Sequence, residues 1–207
     1  MRVLVFARAP VAGQAKTRLI PALGPEGAAR LHRRLVRQAL AVASEASPGE
    51  VELWCAPDCQ HPFFAECARE FGCSLYAQPA GDLGERMCAA LGAALPALLL
   101  GSDAPRLESD ALRNAALALA LVSGNDCVLV PALDGGYVMI GLSVPAPGLF
   151  RNISWGGPTV LAETRQRCMR LGLSLAELPA CPDLDRPEDL AFCPPHLLDG
   201  LPVAKRR

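Results

Sequence analysis

Short apolar runs alternate with longer amphipathic stretches along this chain. Continuous apolar runs bounded by Gly, Pro or polar clusters are typical of strands buried on both faces. The amphipathic stretches repeat their apolar residues every three or four positions, as in a helix with one buried face. The pattern predicts strands at 3–7, 51–56, 74–78, 97–101, 127–131, 137–142 and 174–178, and helices at about 25–44, 61–71, 83–95, 109–122, 158–171 and from 187.

Strands that alternate with helices indicate a parallel sheet with crossover helices. The rhythm breaks at 127–142, where two strands are separated only by a short segment that contains Asp134-Gly135-Gly136. This break predicts an antiparallel insertion in a mixed sheet. No repeat or linker marks a domain boundary, so we expect one domain over residues 1–193 and a loosely packed, Pro-rich C-terminal tail over 194–207.

The composition of the chain argues against nucleic acids and anionic membranes as binding partners. The chain has 207 residues, 51% of them hydrophobic, and a formal net charge of -1 at pH 7. A nearly neutral chain has no global charge to attract nucleic acid or an anionic membrane. No stretch resembles a membrane span or a signal peptide. We therefore expect a cytoplasmic protein that binds neither nucleic acid nor membranes.

Two further features have ordinary structural interpretations. The nine cysteines include no Cys-x-x-Cys pair, so we expect most of them to be buried small hydrophobic residues rather than zinc ligands or disulfides. The predicted first helix has an arginine-rich face, which is either a binding stripe or a solvated surface. That face consists of Arg30, Arg33, Arg34 and Arg37.

The most informative stretch is a buried apolar run that leads directly into Gly101-Ser102-Asp103-Ala104-Pro105. Asp103 then follows the carboxyl end of a central strand, the edge where ligands of open α/β sheets bind. A carboxylate there suits Mg²⁺ or Mn²⁺, which take oxygen ligands and bridge to phosphates. Alternatively, Asp103 caps a helix that starts near Pro105.

The loop after the first strand carries three cations, Arg8, Lys16 and Arg18, and a glycine at position 13. Lysine and arginine bind phosphates, and Gly13 permits a turn that brings backbone amides close to a ligand. The loop is not a Walker A motif, because the second glycine before Lys16 is missing. The alternative is a solvated basic loop.

Three later segments are further candidates. Asp134 either points into a cleft or belongs to a tight Gly-Gly turn. Asp183 and Asp185 alternate along an extended segment, so their side chains share a face, although Asp185 could simply cap the next helix. Trp155 precedes a helix N-terminus that suits an anion, and it either stacks on a ligand or closes the core.

In order, these motifs resemble a bacterial family of GT-A-like glycosyltransferases, of the type associated with arsenosugar biosynthesis or with radical-SAM and selenodomain proteins. The family is similar in fold to 2-phospholactate and molybdenum-cofactor guanylyltransferases. The matching segments are 10–19 (Pro-x-x-Gly-x-x-Lys-Thr-Arg-Leu), 81–87, 101–105 (Gly-Ser-Asp-x-Pro), 134–137 (Asp-Gly-Gly-Tyr), 155–160 and 183–190.

The resemblance implies a three-layer α/β/α nucleotide-diphospho-sugar transferase fold with a mixed, mostly parallel sheet. It implies a catalytic group of Asp103, Lys16 and Asp134, and a nucleotide-binding group of Arg8, Gly13, Lys16, Thr17, Arg18 and Ser102. One departure is Gly101, where a full Asp-x-Asp metal motif needs an acid. Asp103 would therefore hold Mg²⁺ or Mn²⁺ with a second carboxylate, Asp134 or Asp185.

The leading hypothesis is a transferase that uses a nucleotide-activated donor and a small-molecule acceptor, with sugar transfer from a nucleotide sugar favoured. The first alternative is a nucleotidyltransferase that takes a nucleoside triphosphate and a phosphorylated small molecule and releases pyrophosphate. The second is a non-catalytic nucleotide-binding protein. The sequence leaves the donor, the acceptor and the oligomeric state open, a homodimer included.

Overall fold

Seven strands form one sheet in the computed structural model, which describes residues 1–46, 49–120 and 124–202. The strands are β1 (Arg2–Arg8), β2 (Val51–Ala56), β3 (Ser74–Ala77), β4 (Ala97–Gly101), β5 (Cys127–Pro131), β6 (Tyr137–Leu142) and β7 (Leu175–Glu177). Their spatial order is β3-β2-β1-β4-β6-β5-β7. All the predicted strands are therefore confirmed, within a residue or so at their ends.

Six α-helices accompany the strands in the described residues. They are α1 (Ile20–Ala46), α2 (Pro62–Phe71), α3 (Leu83–Gly92), α4 (Ser109–Leu119), α5 (Val160–Leu171) and α6 (Pro195–Leu198), with 3₁₀ turns at Thr17–Leu19, Pro147–Leu149 and Pro187–Phe192. The first helix starts earlier than predicted, because the chain is already helical before a kink at Gly24 (φ 67°, ψ 166°). Positions 121–122 of the predicted fourth helix lie outside the described residues.

The antiparallel insertion is confirmed as β6, which pairs antiparallel with both β4 and β5. The other pairings, β1 with β2 and β4, β2 with β3, and β5 with β7, are parallel. The carboxyl ends of β1, β4 and β5 and the start of β6 therefore meet at one edge of the sheet. This edge is where the sequence places its candidate residues.

Alternating side chains of the buried strands serve two separate cores. On β1, Val3 and Val5 pack in a cluster with residues of α1, α2 and α4, whereas Leu4 and Phe6 pack with residues of α3 and α5. The side-chain period of two along a strand sends neighbouring residues to opposite faces. The result is the predicted three-layer α/β/α arrangement.

The cysteines and the arginine-rich face have structural roles. Seven of the nine cysteines are buried and none forms a disulfide. Arg33 and Arg37 of α1 pair with Glu66 of α2 and lie over the ring of Phe63, and Arg34 donates to the carbonyl of Leu197. Most of this face therefore holds neighbouring elements in place. No helix in the described residues is long and apolar enough to cross a membrane.

The C-terminal segment packs against α1, which corrects the expectation of a loose tail for residues 195–201. Leu197 and Leu201 are 5% and 9% exposed and join a third cluster with leucines of α1 and with Leu184. The sequence pattern is too short there to show a buried face, because α6 is a single turn. Positions 203–207, with their Lys-Arg-Arg ending, lie outside the described residues.

A buried ion pair joins the neighbouring strands β1 and β2. Glu52 on β2 is 2% exposed, and its carboxylate accepts two hydrogen bonds of 2.6 Å from Arg2 on β1 and one of 2.8 Å from the indole of Trp54. A buried charge is tolerated only where such partners satisfy it. Arg2 therefore compensates the Glu52 carboxylate, which would otherwise be a buried charge without an ionic partner.

The Asp134-Gly135-Gly136 turn is held against the segment that enters α5. Gly135 has φ +95°, and a Cβ there would lie 2.1 Å from the carbonyl oxygen of Pro158. Its own carbonyl accepts a 2.9 Å hydrogen bond from the amide of Leu161. Gly135 is therefore required by a close approach of the chain to itself, and the tight Gly-Gly turn that the sequence predicts is present.

We predict that Gly135→Ala destabilises the fold by about 3 kcal/mol, because it adds both steric overlap and an unfavourable φ. The matched control is Gly136→Ala, whose Cβ would meet only the Asp134 carboxylate at 3.2 Å; it should cost less than about 1 kcal/mol. Urea unfolding of the two variants measures the difference. Equal losses would contradict the role of the Pro158 contact.

We also predict that Arg2→Ala costs about 3 kcal/mol of unfolding free energy, because it leaves Glu52 buried and unpaired. Arg165→Ala is the control, since Arg165 forms a similar two-bond pair with Glu177 at the surface, and such pairs contribute less than about 1 kcal/mol. Chemical denaturation checks both values. A loss in Arg2→Ala no larger than the control would show that Glu52 is compensated elsewhere.

Candidate active site

A cleft of about 630 Å³ opens at the carboxyl edge of the sheet. Its walls come from the ends of β1 and β4, the loop before α1, the first turn of α3, the β5–β6 turn, the segment before α5 and the segment after β7. Open α/β sheets bind ligands at this edge. The sequence-predicted residues that line it are Arg8, Lys16, Thr17, Arg18, Ser102, Asp103, Asp134 and Asp185.

Lys16 lies at the centre of this arrangement. Its backbone is left-handed (φ 49°, ψ 45°), which is uncommon for a residue with a side chain and marks a locally constrained position. Its side chain is only 4% exposed, and its ammonium lies 3.0 Å from the Asp103 carboxylate. The same ammonium donates to the carbonyl of Leu184. Lys16 therefore ties the loop after β1 to the end of β4 and to the segment after β7.

Asp103 is an ionised carboxylate that remains half exposed, at 49%, to the cleft. Burial raises its pKa, but the charge of Lys16 and hydrogen bonds from Lys16 and Ser102 lower it more, so the pKa lies below its ordinary value. The capping alternative is wrong, because α4 starts at Ser109 with Glu108 in the cap position. Asp103 thus faces the cleft and not a helix terminus.

Asp185 also faces the basic loop, where its carboxylate accepts a hydrogen bond from the Arg18 guanidinium. The capping role belongs to Asp189, whose carboxylate accepts from the amides of Asp185 and Arg186 at 3.0 and 2.7 Å. The amide of Leu184 donates to the Asp103 carbonyl at 2.8 Å, which fixes this segment beside β4. The Lys16–Asp103 pair thus joins the basic loop to the end of β4, and the Arg18–Asp185 pair joins the same loop to the segment after β7.

Asp134 and Asp183 are a second pair of carboxylates in the cleft lining. Asp134 accepts a 2.9 Å hydrogen bond from the Gly136 amide, which closes the turn. Burial and then the negative charge of Asp134 raise the pKa of Asp183 above its ordinary value. The negative charge of Asp134 therefore makes ionisation of Asp183 less favourable.

Gly13 and Trp155, both predicted to contact a ligand, do not lie in the cleft in the same way as the charged residues. Gly13 does not line the cleft; its φ of 80° shows that it serves the turn of the loop. Trp155 lines the cleft and also packs on α3, because a Cβ on Gly84 would lie 2.6 Å from its ring. Trp155 therefore has the packing role that the sequence allows, and stacking on a ligand stays a prediction for a ring that lines the cleft.

His32 is a cleft residue that the sequence interpretation missed. It is 5% exposed, and its Nε2 donates to the Arg8 carbonyl at 2.9 Å, which leaves Nδ1 unprotonated and without a partner in the described residues. Burial lowers its pKa, against the opposing effect of the Asp103 charge. The available signal was a histidine on the apolar face of α1, four residues after Ala28 and four before Val36.

The charges in the cleft lining divide cleanly along the chain. We call its cationic side chains the basic wall and its carboxylates the acidic wall, and the two sets meet in the ion pairs of Lys16 with Asp103 and of Arg18 with Asp185. The basic wall comes entirely from the first 86 residues and the acidic wall entirely from later ones. The basic wall is Arg8, Lys16, Arg18 and Arg86, and the acidic wall is Asp103, Asp134, Asp183 and Asp185.

The acidic wall suits a hard divalent cation without forming a closed cage for one. Asp103 is ionised and faces the cleft, and oxygen ligands of this kind are what Mg²⁺ and Mn²⁺ prefer. However, no three His, Cys, Asp or Glu side chains in the described residues lie close enough to hold a metal ion together. The predicted site, Asp103 with Asp134 or Asp185 as a second carboxylate, needs only two side chains and stays a prediction; oxygen atoms of a ligand would have to complete the coordination.

The fold is shared with known transferases. A protein from Desulfovibrio desulfuricans G20 with a provisional assignment as a nucleotide-diphospho-sugar transferase is 30% identical, with a TM-score of 0.81 over 91% of this chain and 84% of that one. A nucleotidyl transferase from Methanothermobacter thermautotrophicus gives 16% identity and a TM-score of 0.59, over 96% and 98% of the two chains.

A third similar structure is glucosyl-3-phosphoglycerate synthase from Mycobacterium tuberculosis in complex with Mn²⁺, UDP and glucosyl-3-phosphoglycerate. It is 12% identical, with a TM-score of 0.54 over 92% of this chain and 74% of that one. A search of curated proteins found no match. These likenesses show the predicted nucleotide-diphospho-sugar transferase fold.

The sequence also matches a family model over residues 39–157, more than half of its length. The matched region includes β4, Asp103 and the Asp134-Gly135-Gly136 turn. The chain therefore belongs to the DUF2064 family, whose description is "Uncharacterized protein conserved in bacteria".

Proposed function

We propose that this protein is a transferase that takes a nucleotide-activated donor, and that it transfers a sugar to a small-molecule acceptor. The single observation that carries the proposal is the ion pair between Lys16 and Asp103 across the cleft. A cationic group for phosphates and a carboxylate for a divalent cation then lie side by side at the ligand-binding edge of the sheet.

The basic wall is suited to the donor's diphosphate. Lys16 offers a point charge, and Arg18 and Arg8 offer planar forks that match phosphate oxygens. Arg8 is exposed and forms no ion pair within the described part of the chain, so it is free to bind a ligand. Thr17 and Ser102 supply hydroxyl groups to the cleft, and the Ser102 hydroxyl donates to the Asp103 carboxylate at 3.2 Å.

The acidic wall supplies the opposite charge. We propose that Asp103 holds a divalent cation, with Asp185 as the second carboxylate and Asp134 directed to the acceptor or to the cation. A bound cation would neutralise charge on the departing diphosphate. For this arrangement Lys16 and Arg18 exchange their carboxylate partners for phosphate oxygens of the donor.

In sugar transfer, an acceptor hydroxyl oxygen forms a new bond to the anomeric carbon of the sugar. The bond from that carbon to the diphosphate oxygen breaks, and the nucleoside diphosphate leaves with the electron pair. The hydroxyl proton passes to a carboxylate of the acidic wall, acting as a general base. Each role falls on a group that lines the cleft.

Nucleotidyl transfer from a nucleoside triphosphate to a phosphorylated small molecule is the second candidate, since the second similar structure above is a nucleotidyl transferase. The third candidate is a non-catalytic protein that binds a nucleotide in this cleft without turnover. The narrower type, associated with arsenosugar biosynthesis or radical-SAM and selenodomain proteins, stays a prediction that rests on the motifs alone.

We predict that Lys16→Met weakens binding of the preferred nucleoside diphosphate at least about tenfold, because a charge-assisted contact to phosphate is lost. Calorimetry with UDP, GDP, CDP and ADP in the presence of Mn²⁺ measures this. The control is Arg30→Ala, which removes an exposed cation outside the cleft. Equal nucleoside diphosphate affinities in Lys16→Met and wild type would contradict a role of Lys16 in phosphate binding.

We predict that Asp103→Asn lowers turnover about 100-fold while the fold stays intact, because transition-state charge loses its compensation. Product analysis with nucleotide sugars and nucleoside triphosphates identifies the reaction. Release of a nucleoside diphosphate supports sugar transfer, whereas release of pyrophosphate establishes nucleotidyl transfer instead. Full turnover in Asp103→Asn would contradict the assignment of this carboxylate.

A further inference from the structure

A second cavity of about 700 Å³ adjoins the cleft. Its walls come from the loops after β1 and β2, the segment after β3 and the first turn of α3. Five residues line both spaces: Arg8, Gln14, Ala56, Gln78 and Arg86. This shared boundary therefore presents two guanidinium groups and two carboxamide groups and, among the described residues, no carboxylate.

The carboxylates that line the two spaces are not paired with these arginines. Neither Arg8 nor Arg86 forms an ion pair within the described part of the chain. The acidic wall lines the cleft but not the second cavity, to which the described residues contribute one carboxylate, Asp58. Asp58 is exposed and accepts a 2.8 Å hydrogen bond from the amide of Gln60. The two guanidinium charges therefore have no ionic partner within the protein itself.

Arg86 belongs to segment 81–87, one of the motif segments, and projects from a rigid element. Asp82 and Glu85 form a capping box with a hydrogen bond of 2.8 Å in each direction, which starts α3. The Arg86 Nε donates to the carbonyl of Gly81 at 2.8 Å. This contact uses one N–H of the guanidinium. Its two terminal nitrogens have no partner among the described residues and are available to a ligand.

The other side of the boundary is also fixed. Arg8 is the last residue of β1, and its carbonyl accepts a 2.9 Å hydrogen bond from His32 Nε2. The carboxamide of Gln78 donates to the Trp54 carbonyl at 2.9 Å. The positions from which the two arginines project are therefore set before a ligand binds, which lowers the entropic cost of binding.

These groups suit a phosphate. A guanidinium fork binds phosphate oxygens in a bidentate manner. A phosphate monoester carries a charge of about −1.5 to −2 at pH 7 and three acceptor oxygens, so it can match two guanidinium charges and the carboxamide donors together. A carboxylate has a single charge and two oxygens, and it matches this set of donors less well.

The other cations of the cleft are in a different state. Lys16 and Arg18 are ion-paired with Asp103 and Asp185, so a phosphate has to displace a carboxylate to reach them. No carboxylate has to leave the two arginines of the boundary. Without a divalent cation to take over the carboxylates, we therefore expect a phosphate to bind at the unpaired arginines.

We propose that Arg8 and Arg86 form a phosphate-binding subsite between the cleft and the second cavity, which needs no divalent cation. The phosphate belongs to the nucleotide donor or to the second substrate. The identity of that source rests on the proposed transferase function, whereas the subsite itself does not.

Titration with inorganic phosphate in EDTA at low ionic strength, followed by phosphorus NMR on the full chain, tests the subsite. Arg86→Met should weaken phosphate binding at least about tenfold, because hydrogen bonds to a charged group are lost. Arg8→Met, at an exposed position, should give a similar loss and keeps the test valid if Arg86→Met does not fold. The matched control is Arg30→Met, which removes an exposed cation outside both cavities.

Three results overturn the subsite. They are wild-type affinity in both arginine variants, a loss of the same size in the control, and no phosphate binding by the wild type. Acetate should bind at least about tenfold more weakly than phosphate, because it carries less charge and fewer oxygens. Equal affinities for acetate and phosphate would contradict the assigned ligand class.

A double variant of unchanged net charge separates the subsite from the paired cations. Arg18→Met combined with Asp185→Asn removes both partners of one ion pair. In EDTA it should bind phosphate within about threefold of wild type, because the ligand lies at a separate site. A loss as large as that of Arg86→Met would place the phosphate at the paired cations and overturn the assignment.

A further titration identifies the source of the phosphate. It is repeated with Mg²⁺ and saturating nucleoside di- and triphosphates of uridine, guanosine, cytidine and adenosine. A nucleotide that displaces the phosphate, and that binds more weakly to Arg86→Met, assigns the subsite to the donor. Phosphate that still binds beside the nucleotide, and that loses affinity in Arg86→Met, assigns it to the second substrate.

The subsite and the transferase function fail in different ways. A protein that binds phosphate through Arg86 but binds no nucleotide contradicts the transferase function and keeps the subsite. A protein that binds nucleotides through Lys16, while its affinity for phosphate is indifferent to Arg8 and Arg86, overturns the subsite and keeps the function.

Discussion

The ammonium group of Lys16 joins three segments that are far apart in the chain. It pairs with Asp103 at 3.0 Å and donates to the carbonyl of Leu184, and the Leu184 amide in turn donates to the Asp103 carbonyl. The loop after β1, the end of β4 and the segment after β7 are therefore held at one point. Because Lys16 is 4% exposed and adopts a left-handed backbone, this point is also locally constrained.

The charge distribution of the cleft follows from this junction. The parallel strands deliver the basic loop and Asp103 to the same edge of the sheet, and the antiparallel strand β6 brings the Asp134 turn to that edge from the opposite direction. Gly135 then allows the turn to rest on the backbone of Pro158. Cations from the first 86 residues and carboxylates from later residues thus line one cleft.

The fold was predictable because its strands are short, continuously apolar and separated by clear turn residues. The position of Asp103 followed from the same reasoning, since β4 ends at Gly101 and the ligand-binding edge lies just beyond it.

The sequence could not show which carboxylate pairs with which cation. Asp183 and Asp185 are two positions apart in an extended segment, yet it is Asp185 that pairs with Arg18. His32 was missed because a histidine on an apolar helix face carries no local signal of its depth in a cleft. The buried C-terminal turn was missed because four residues are too few to show a period.

The paired state of the cleft also bears on how a ligand would enter. The two ion pairs, Lys16 with Asp103 and Arg18 with Asp185, satisfy charges that a donor and a cation would otherwise meet. Separating Lys16 from Asp103 leaves an ammonium that is only 4% exposed without its charged partner, which is unfavourable unless it finds a new one. The phosphates and the cation would therefore stabilise each other's binding.

A crystal structure of the protein with Mn²⁺ and its preferred nucleoside diphosphate tests the central claim most directly. The account predicts phosphate oxygens within hydrogen-bond distance of Lys16 and Arg18, and the cation bound to the carboxylate of Asp103. A nucleotide bound elsewhere, or Lys16 and Asp103 still paired with each other beside an occupied cleft, would contradict it.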